Sequence, residues 1–116
     1  MSICAKVRDY LRRHGGRYRA CVCTDVDSFD EAVDGAGLAP AQVAQVTMLK
    51  AGQVHLMVVH PADRQVDIPM LEKLFRRRFE FSSGEELAAI FPDCDRRALP
   101  PIPGAYGLRA VLDPGL

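Results

Sequence analysis

Residues 43–60, VAQVTMLKAGQVHLMVVH, decide the fold. Two apolar runs, Val43–Leu49 and Gln53–His60, lie on either side of the turn-forming pair Ala51-Gly52. Apolar runs joined by a short glycine-containing turn are typical of a β-hairpin. His55 and His60 are five positions apart on one predicted strand, so we expect their side chains on opposite faces and no shared metal ion.

Three elements are predicted before the hairpin. A helix capped by Ser2 ends at Gly15-Gly16, and residues 17–23 alternate as a strand does. The capping box Ser28-Phe29-Asp30-Glu31 opens a second helix, which Gly37 ends. The apolar stripe of the first helix comprises Ile3, Val7, Tyr10, Leu11 and His14.

The elements after the hairpin end in a last strand at Leu108–Leu112. Asp67 caps a short helix, residues 79–81 form a short strand, and Ser83-Gly84-Glu85-Glu86 is a capping box for a helix that Pro92 breaks. Residues 93–104 form a proline-rich, stiff loop. The order α-β-α-β-β-α-β-α-β predicts one α/β (mixed α+β) domain over residues 1–116, with a mixed, mostly antiparallel sheet flanked by helices. The predicted core stripe of the Asp67 helix is Ile68, Leu71, Leu74 and Phe75.

Composition excludes several classes of protein. Of the 116 residues 48% are hydrophobic, which is enough for one core and too much for a disordered chain. The apolar runs, Leu56–Val59 among them, are far shorter than the roughly 20 residues of a membrane helix, and Met1–Lys6 lacks the apolar core of a signal peptide. We therefore expect a cytoplasmic protein. Its four cysteines form no Cys-x-x-Cys pair, which favours reduced, packed thiols over a metal site.

Charge is balanced overall, with fifteen basic and fifteen acidic residues, but it is segregated along the chain. Residues 1–20 carry six basic side chains and one acidic one, whereas residues 21–40 carry five acidic side chains and no basic one. A second basic cluster comprises Lys73, Arg76, Arg77 and Arg78. This cluster suits phosphate groups, or else it is a solvated helix end where cations complement the helix dipole. The interleaved Phe75 and Phe79 are expected to serve the core.

Motifs for nucleophilic catalysis and phosphate binding are missing from the sequence. It contains no Gly-x-Ser-x-Gly elbow, no phosphate loop and no dinucleotide fingerprint. The proline-rich loop is the remaining candidate, because a stiff loop can hold main-chain groups in fixed directions around a reacting ester. From composition alone, a rigid connection that covers the sheet is the simpler interpretation.

Six segments in a fixed order carry a resemblance to a known family: residues 43–49, 61–67, the helix that contains Leu71, and residues 82–87, 98–101 and 111–113. In this order and spacing the chain resembles the YbaK/ProX family of aminoacyl-tRNA editing domains, which is related to the insertion domain of bacterial prolyl-tRNA synthetase. The resemblance covers essentially all 116 residues. It implies hydrolysis of the ester that joins a wrong amino acid to the 3′ end of tRNA, with no metal, no cofactor and no covalent nucleophile.

The resemblance also implies the site. Gln45 stands where the family has a lysine that holds the terminal nucleotide, and Arg97 stands where the family has the glycine of its Gly-x-x-x-Pro loop. A charge-assisted contact is lost at Gln45, and Arg97 either restores that charge or marks a weakened site. The implied catalytic group is therefore Gln45, Arg97, Ala98, Leu99, Pro100 and Pro101. The implied substrate-binding residues are Phe29, Thr47 and Asp113, and the implied tRNA-phosphate contacts are Arg12, Arg13, Lys73, Arg76, Arg77 and Arg78.

Two functions stay open at this point. The first is a trans-editing deacylase that acts on mischarged tRNA, with activity weakened by the two departures. The second is a non-catalytic module on the same fold, which binds tRNA, a nucleotide or a protein.

Family domains continue further after the last strand, so we expect a homodimer or another protein to cover the resulting edge.

Overall fold

The computed structural model describes residues 4–17, 37–94 and 98–116. Almost all of the strand predicted at residues 17–23 and of the helix predicted at residues 28–37 lies outside these ranges, as do Phe29 and Arg97. The described helices and strands are, in chain order, α1 (Ala5–Arg13), β1 (Ala44–Ala51), β2 (Val54–Pro61), α2 (Ile68–Phe75), β3 (Glu80–Phe81), α3 (Gly84–Ile90) and β4 (Arg109–Leu112), with short 3-10 turns at Pro40–Gln42 and Pro103–Tyr106.

The predicted hairpin is the centre of the sheet. Strands β1 and β2 are antiparallel from Ala44 opposite Pro61 to Ala51 opposite Val54. The turn is Gly52-Gln53 rather than the predicted pair Ala51-Gly52, because Ala51 still pairs with Val54. Gly52 lies at a φ of 62°, where a glycine meets no steric penalty. Strand β3 joins β1 antiparallel and β4 joins β2 in parallel, so the strand order is β3-β1-β2-β4. The predicted mixed, mostly antiparallel sheet is confirmed.

Side-chain capping begins two of the helices as the sequence predicts. Asp67 Oδ1 accepts a hydrogen bond from the Met70 amide at 3.1 Å and starts α2. Ser83 Oγ accepts from the Glu86 amide, while Glu86 Oε1 accepts from the Ser83 amide, which is the complete capping box of α3. The start of α1 differs from the prediction: the helix begins at Ala5, and its N-cap is Cys4 rather than Ser2.

Each face of the sheet carries its own core. On the first face Phe91, which is 1% exposed, packs with Met48, Met57 and Val59, and Leu99 lies against this cluster. On the second face Leu71 of α2 packs with Leu49, Leu56 and Val58. Because side chains alternate along a strand, neighbouring residues of the hairpin serve opposite cores.

The predicted core stripe of α2 is only half correct. Leu71 is buried and Ile68 is partly buried, but Leu74 is 68% and Phe75 43% exposed. Helix α2 is only eight residues long, and Leu71 is its buried residue. The apolar stripe therefore continues into a last turn whose side chains stay exposed.

Helix α1 is joined to the first face by a disulfide bond between Cys4 and Cys94. The two Cα atoms are 5.1 Å apart, although the cysteines are 90 positions apart in sequence. The expectation of reduced thiols is therefore wrong for this pair. Packing of α1 brings the two cysteines together: the Lys6 amide donates to Asp93 Oδ2 at 2.9 Å, and the Tyr106 hydroxyl donates to Asp93 Oδ1 at 3.1 Å.

Asp93 and Tyr106 shift each other's ionisation at this contact. Burial opposes ionisation of Asp93, but hydrogen bonds, first among them that from the Lys6 amide, hold its pKa below the usual value. Burial and the neighbouring Asp93 carboxylate raise the pKa of Tyr106 well above its usual value. The pair therefore joins the segment after α3 to the 3-10 turn Pro103–Tyr106, and the Lys6 amide joins α1 to the same carboxylate. No helix in the described part of the chain is long and apolar enough to cross a membrane.

Candidate substrate site

A polar groove opens on the second face of the sheet, at the end of the hairpin remote from its turn. Its volume is about 520 Å³, which lies within the range of small-molecule sites. Strand residues supply its floor, the segment after β2 supplies one wall, and Phe81 closes the other side. The lining residues are Gln45, Thr47, His60, Ala62, Arg64, Gln65, Val66 and Phe81.

The register of the hairpin sets the floor of this polar groove. Gln45 is directly opposite His60 in the antiparallel pair, and Thr47 is two positions further along the same face. Three polar side chains therefore meet where the packed core of Leu49, Val58 and Leu71 ends.

Thr47 and His60 form the most ordered polar contact of the groove. His60 is 4% exposed, its Nε2 is 2.9 Å from Thr47 Oγ1, and its Nδ1 is 2.9 Å from the Pro61 carbonyl oxygen. A carbonyl oxygen only accepts, so Nδ1 carries a proton and donates it. In the neutral ring Nε2 then accepts from the Thr47 hydroxyl. This arrangement leaves the lone pairs of Thr47 Oγ1 free to accept a hydrogen bond from a substrate hydroxyl or a water molecule.

Arg64 provides the positive charge of the groove. Its side chain is 62% exposed, and its Nη1 is 3.8 Å from Oδ1 of Asp113, which follows β4. The pair is long and solvated, so it holds the guanidinium only weakly. Asp113 does not line the groove itself, but its contact with Arg64 places it at the rim. An anionic group such as a phosphate can compete for the guanidinium there.

The predicted catalytic loop lies apart from Gln45. Leu99 packs on the first face with Met48 and Phe91, whereas Gln45 faces the second. Ala98, Pro100 and Pro101 are partly buried, and none of the loop residues 98–101 lines the polar groove. The structure thus brings Gln45 and Thr47 together, with Asp113 at the rim, and it places Leu99 behind the sheet. The catalytic role of the loop stays a prediction.

The predicted tRNA-phosphate residues divide into two groups. Arg12 and Arg13 are exposed in the last turn of α1. This helix lies on the first-face side of the sheet, because Cys4 is bonded to Cys94 and Cys94 packs against the first-face core. The second group, Lys73 and Arg76–Arg78, is exposed at the end of α2 on the other side. A single flat contact with an RNA helix therefore does not include both groups.

Lys50 does not replace the lysine that is missing at position 45. It lies on the first face, where its Nζ is 2.8 Å from Oε1 of Glu86. This hydrogen bond and that of the Ser83 amide lower the pKa of Glu86 to about 2, and the contact with Glu86 raises the pKa of Lys50. His55 approaches the same carboxylate at 3.5 Å and contacts Ser82 Oγ at 3.0 Å.

His55 and His60 lie on opposite faces of the sheet, as predicted. Among the residues that the structure describes, no group of three or more His, Cys, Asp or Glu side chains could hold a metal ion.

Comparison with known proteins assigns the family. A family model described as "Aminoacyl-tRNA editing domain" matches residues 23–116. The chain belongs to the aminoacyl-tRNA editing domain family. The resemblance inferred from the sequence is thereby confirmed, and a role in aminoacyl-tRNA editing in general follows from it. No curated protein gives a significant match to this editing domain.

Solved structures share the fold of the editing domain. One, from work described as epitope backbone grafting onto scaffold proteins by computational design, is 16% identical with a TM-score of 0.74, over 96% of this chain and 72% of that one. Another, described as hypothetical protein APE2540, is 18% identical with a TM-score of 0.66, over 92% of this chain and 71% of that one. At these identities the likeness concerns the fold alone.

Sequence reasoning missed His60, Arg64 and Gln65 as lining residues of the groove. The turn predicted at Ala51-Gly52 would pair Gln45 with Val58, whereas the observed turn at Gly52-Gln53 pairs Gln45 with His60. Arg64 and Gln65 follow the strand in an irregular segment, and nothing in their spacing fixes where they point.

Proposed function

We propose that this editing domain is an aminoacyl-tRNA deacylase that acts in trans on mischarged tRNA in the cytoplasm, with activity weakened at Gln45. The observation that carries the proposal is the polar groove in which Gln45 lies opposite His60. Membership of the editing-domain family supports it. In the reaction a water molecule attacks the ester carbonyl carbon and the bond to the ribose oxygen breaks, which releases the amino acid and leaves a free 3′ or 2′ hydroxyl.

The groove supplies groups suited to the acceptor end of tRNA. The side-chain amide of Gln45 donates and accepts hydrogen bonds, as recognition of an adenosine requires. Arg64 is placed for the adjoining phosphate, and Thr47 Oγ1, whose proton is engaged by His60, accepts from a ribose hydroxyl or the attacking water. These contacts lower the barrier by holding the ester and water in position, because an aminoacyl ester is already activated.

The proline-rich loop at residues 97–101 is the second part of the proposed catalytic site. In the family pattern this loop supplies main-chain groups around the ester, and Ala98, Leu99, Pro100 and Pro101 are proposed for that role here. The role requires the loop to reach the ester from outside the polar groove, because none of these four residues lines the groove. The partly buried, proline-stiffened backbone supports it, because fixed dipoles need no reorganisation during reaction. Phe29 is proposed at the amino-acid pocket and Arg97 as a compensating charge.

The decisive experiment is deacylation of a panel of mischarged tRNAs, beginning with alanine, cysteine and serine on tRNA-Pro. We expect slow turnover of at least one substrate by the wild type. Gln45→Ala lowers this turnover by about tenfold or more, the usual scale for loss of a positioning contact. Gln53→Ala, the matched control in the exposed hairpin turn, leaves it unchanged. No turnover by the wild type on any member of the panel would overturn the deacylase proposal.

A non-catalytic binding module is the second candidate. The observation that favours it is the neutral Gln45 at the position where the family has a charged lysine. Such a module binds uncharged tRNA with a salt-dependent affinity and hydrolyses no ester. The Gln45→Lys variant separates the candidates, because gained hydrolysis in that variant, with none in the wild type, identifies a domain that has kept binding and lost catalysis.

We also propose that a second copy or another protein covers β4. This strand is an edge of the described sheet, and Leu112 within it is 66% exposed. An exposed apolar edge strand is a ready surface for pairing with another chain.

A further inference from the structure

A second groove, called here the aromatic groove, lies on the second face at the hairpin-turn end of the sheet. Its volume is about 470 Å³. Its floor is apolar and is formed by the strands, and its walls carry two phenylalanines and two arginines. The lining residues that matter are Val54, Leu56, Phe75, Phe79, Arg77 and Arg109.

The phenylalanines form an open wall rather than a closed core. Their ring centroids are 6.0 Å apart with the planes perpendicular, so Phe79 supports Phe75 edge to face. Phe75 is 43% exposed, and Val54 on the floor is 46% exposed. The expectation that both rings serve the core is therefore wrong for Phe75, which lies in the last, exposed turn of α2.

The turn after α2 fixes Arg77 at the mouth of the aromatic groove. Arg76 ends the helix in the left-handed conformation, with a φ of 55°. Glu72 then fastens the segment: its carbonyl oxygen accepts from the Arg77 amide at 3.2 Å, and its Oε2 accepts from the Phe79 amide at 3.0 Å. The carboxylate of Glu72 is thus engaged with main chain. Of the ion pairs in the described ranges, none involves Arg77 or Arg109.

Two guanidinium groups that have no ion pair within the described ranges lie beside an apolar, aromatic floor, and together they define the ligand chemistry. A purely apolar ligand would not use the arginines, and a bare phosphate would not use the exposed ring and floor. An unpaired nucleotide satisfies both, because its base has a face for Phe75 and its phosphate suits a guanidinium fork.

We infer that the aromatic groove binds one unpaired nucleotide of an RNA, with the base against Phe75 and the phosphate between Arg77 and Arg109. That this RNA is a substrate tRNA rests on the proposed function. Both grooves lie on the second face, and Gln45 and Ala51 are six positions apart on β1, or about 20 Å. The aromatic groove is therefore a second contact for an RNA whose end occupies the polar groove.

The test measures RNA binding without turnover. The probe is a fluorescently labelled single-stranded hexaribonucleotide ending in CCA, followed by anisotropy, and the ring resonances of Phe75 are observed by NMR on addition of adenosine monophosphate. Phe75→Leu keeps an apolar side chain but removes the ring, and it weakens binding by about fivefold or more. Leu74→Ala, a neighbour that does not line the groove, changes affinity less than about twofold.

A second experiment compares the loss of the Arg77 charge with the loss of one positive charge on α1, far from the aromatic groove. Arg77→Gln weakens binding of the hexanucleotide by about fivefold or more, whereas Arg8→Gln on α1 changes it by less than about twofold. Equal effects of the two arginine variants, or no effect of Phe75→Leu and no shift of its ring resonances, would overturn the inference. Tighter binding of an acidic, phenylalanine-containing peptide than of the RNA would overturn it too.

Failure of this inference is distinguishable from failure of the proposed function. A wild-type protein that binds the hexanucleotide through Phe75 and Arg77 but deacylates nothing supports the aromatic groove and overturns the deacylase. A wild-type protein that deacylates, with RNA affinities unchanged in Phe75→Leu and Arg77→Gln, supports the deacylase and overturns the aromatic groove.

Discussion

Thr47 Oγ1 and His60 Nε2 are 2.9 Å apart across the hairpin, and the second ring nitrogen of His60 donates to its neighbour's carbonyl oxygen. Both nitrogens of a nearly buried imidazole are thus satisfied. The contact fixes the floor of the polar groove and determines the orientation of the Thr47 hydroxyl.

Removal of that hydroxyl is expected to destabilise the fold. Thr47→Val keeps the shape of the side chain but leaves buried Nε2 without its partner, which costs about 1–3 kcal/mol. Thr47→Ser keeps the hydroxyl and costs less. Urea unfolding at neutral pH measures both, and equal free energies of unfolding for the two variants would contradict the hydrogen-bond assignment.

Reduction of the Cys4–Cys94 disulfide is expected to lower stability by about 2–4 kcal/mol, because the bond closes a long loop of the unfolded chain. A Cys21→Ser/Cys23→Ser background isolates the pair. In that background thiol titration of the denatured, oxidised protein finds no free thiol, and titration after reduction finds both. Free thiols without any reduction would show that the bond is not formed.

Acid is expected to weaken the contact between α3 and β1. The pKa of Glu86 is lowered from 4.5 to about 2, chiefly by its hydrogen bond with Lys50. Because the folded value lies below the unfolded one, the stabilisation is complete above pH 4.5 and is lost as the pH falls toward 2.

The Glu86→Gln variant therefore shows a shallower loss of unfolding free energy than the wild type between about pH 6 and pH 2.5. Glu85→Gln, the exposed neighbour in the same helix turn, keeps the wild-type slope. Parallel pH profiles for wild type and Glu86→Gln would contradict the assignment.

The exposed β4 edge is expected to support self-association or capture of a partner. We expect sedimentation velocity to detect dimers at high protein concentration and Leu112→Arg to shift the population toward monomer, because a charge on the edge opposes strand pairing. A wild type that stays monomeric at every concentration excludes the homodimer and leaves only a different protein as the partner.

Local chemistry explains why much of the fold was predictable. Asp67 and Ser83 cap their helices by accepting from amides three residues further on. The hairpin follows from two apolar runs joined by a glycine-containing turn, although the turn lies one residue later than predicted. The site was less predictable. Gln45 and Thr47 were found through the family pattern, whereas His60 enters through strand pairing and Arg64 through the path of an irregular segment.

The sequence by itself determined the hairpin, the caps of α2 and α3, the alternation of the hairpin strands and the family, because each depends on neighbouring residues or on their order. Only the tertiary structure decided which groups meet across the chain. It joined Cys4 to Cys94, paired β4 parallel to β2, placed Leu99 behind the sheet from Gln45, and left Phe75 exposed beside Arg77. These relationships depend on how whole elements pack, and side chains far apart in sequence leave no local pattern that specifies such packing.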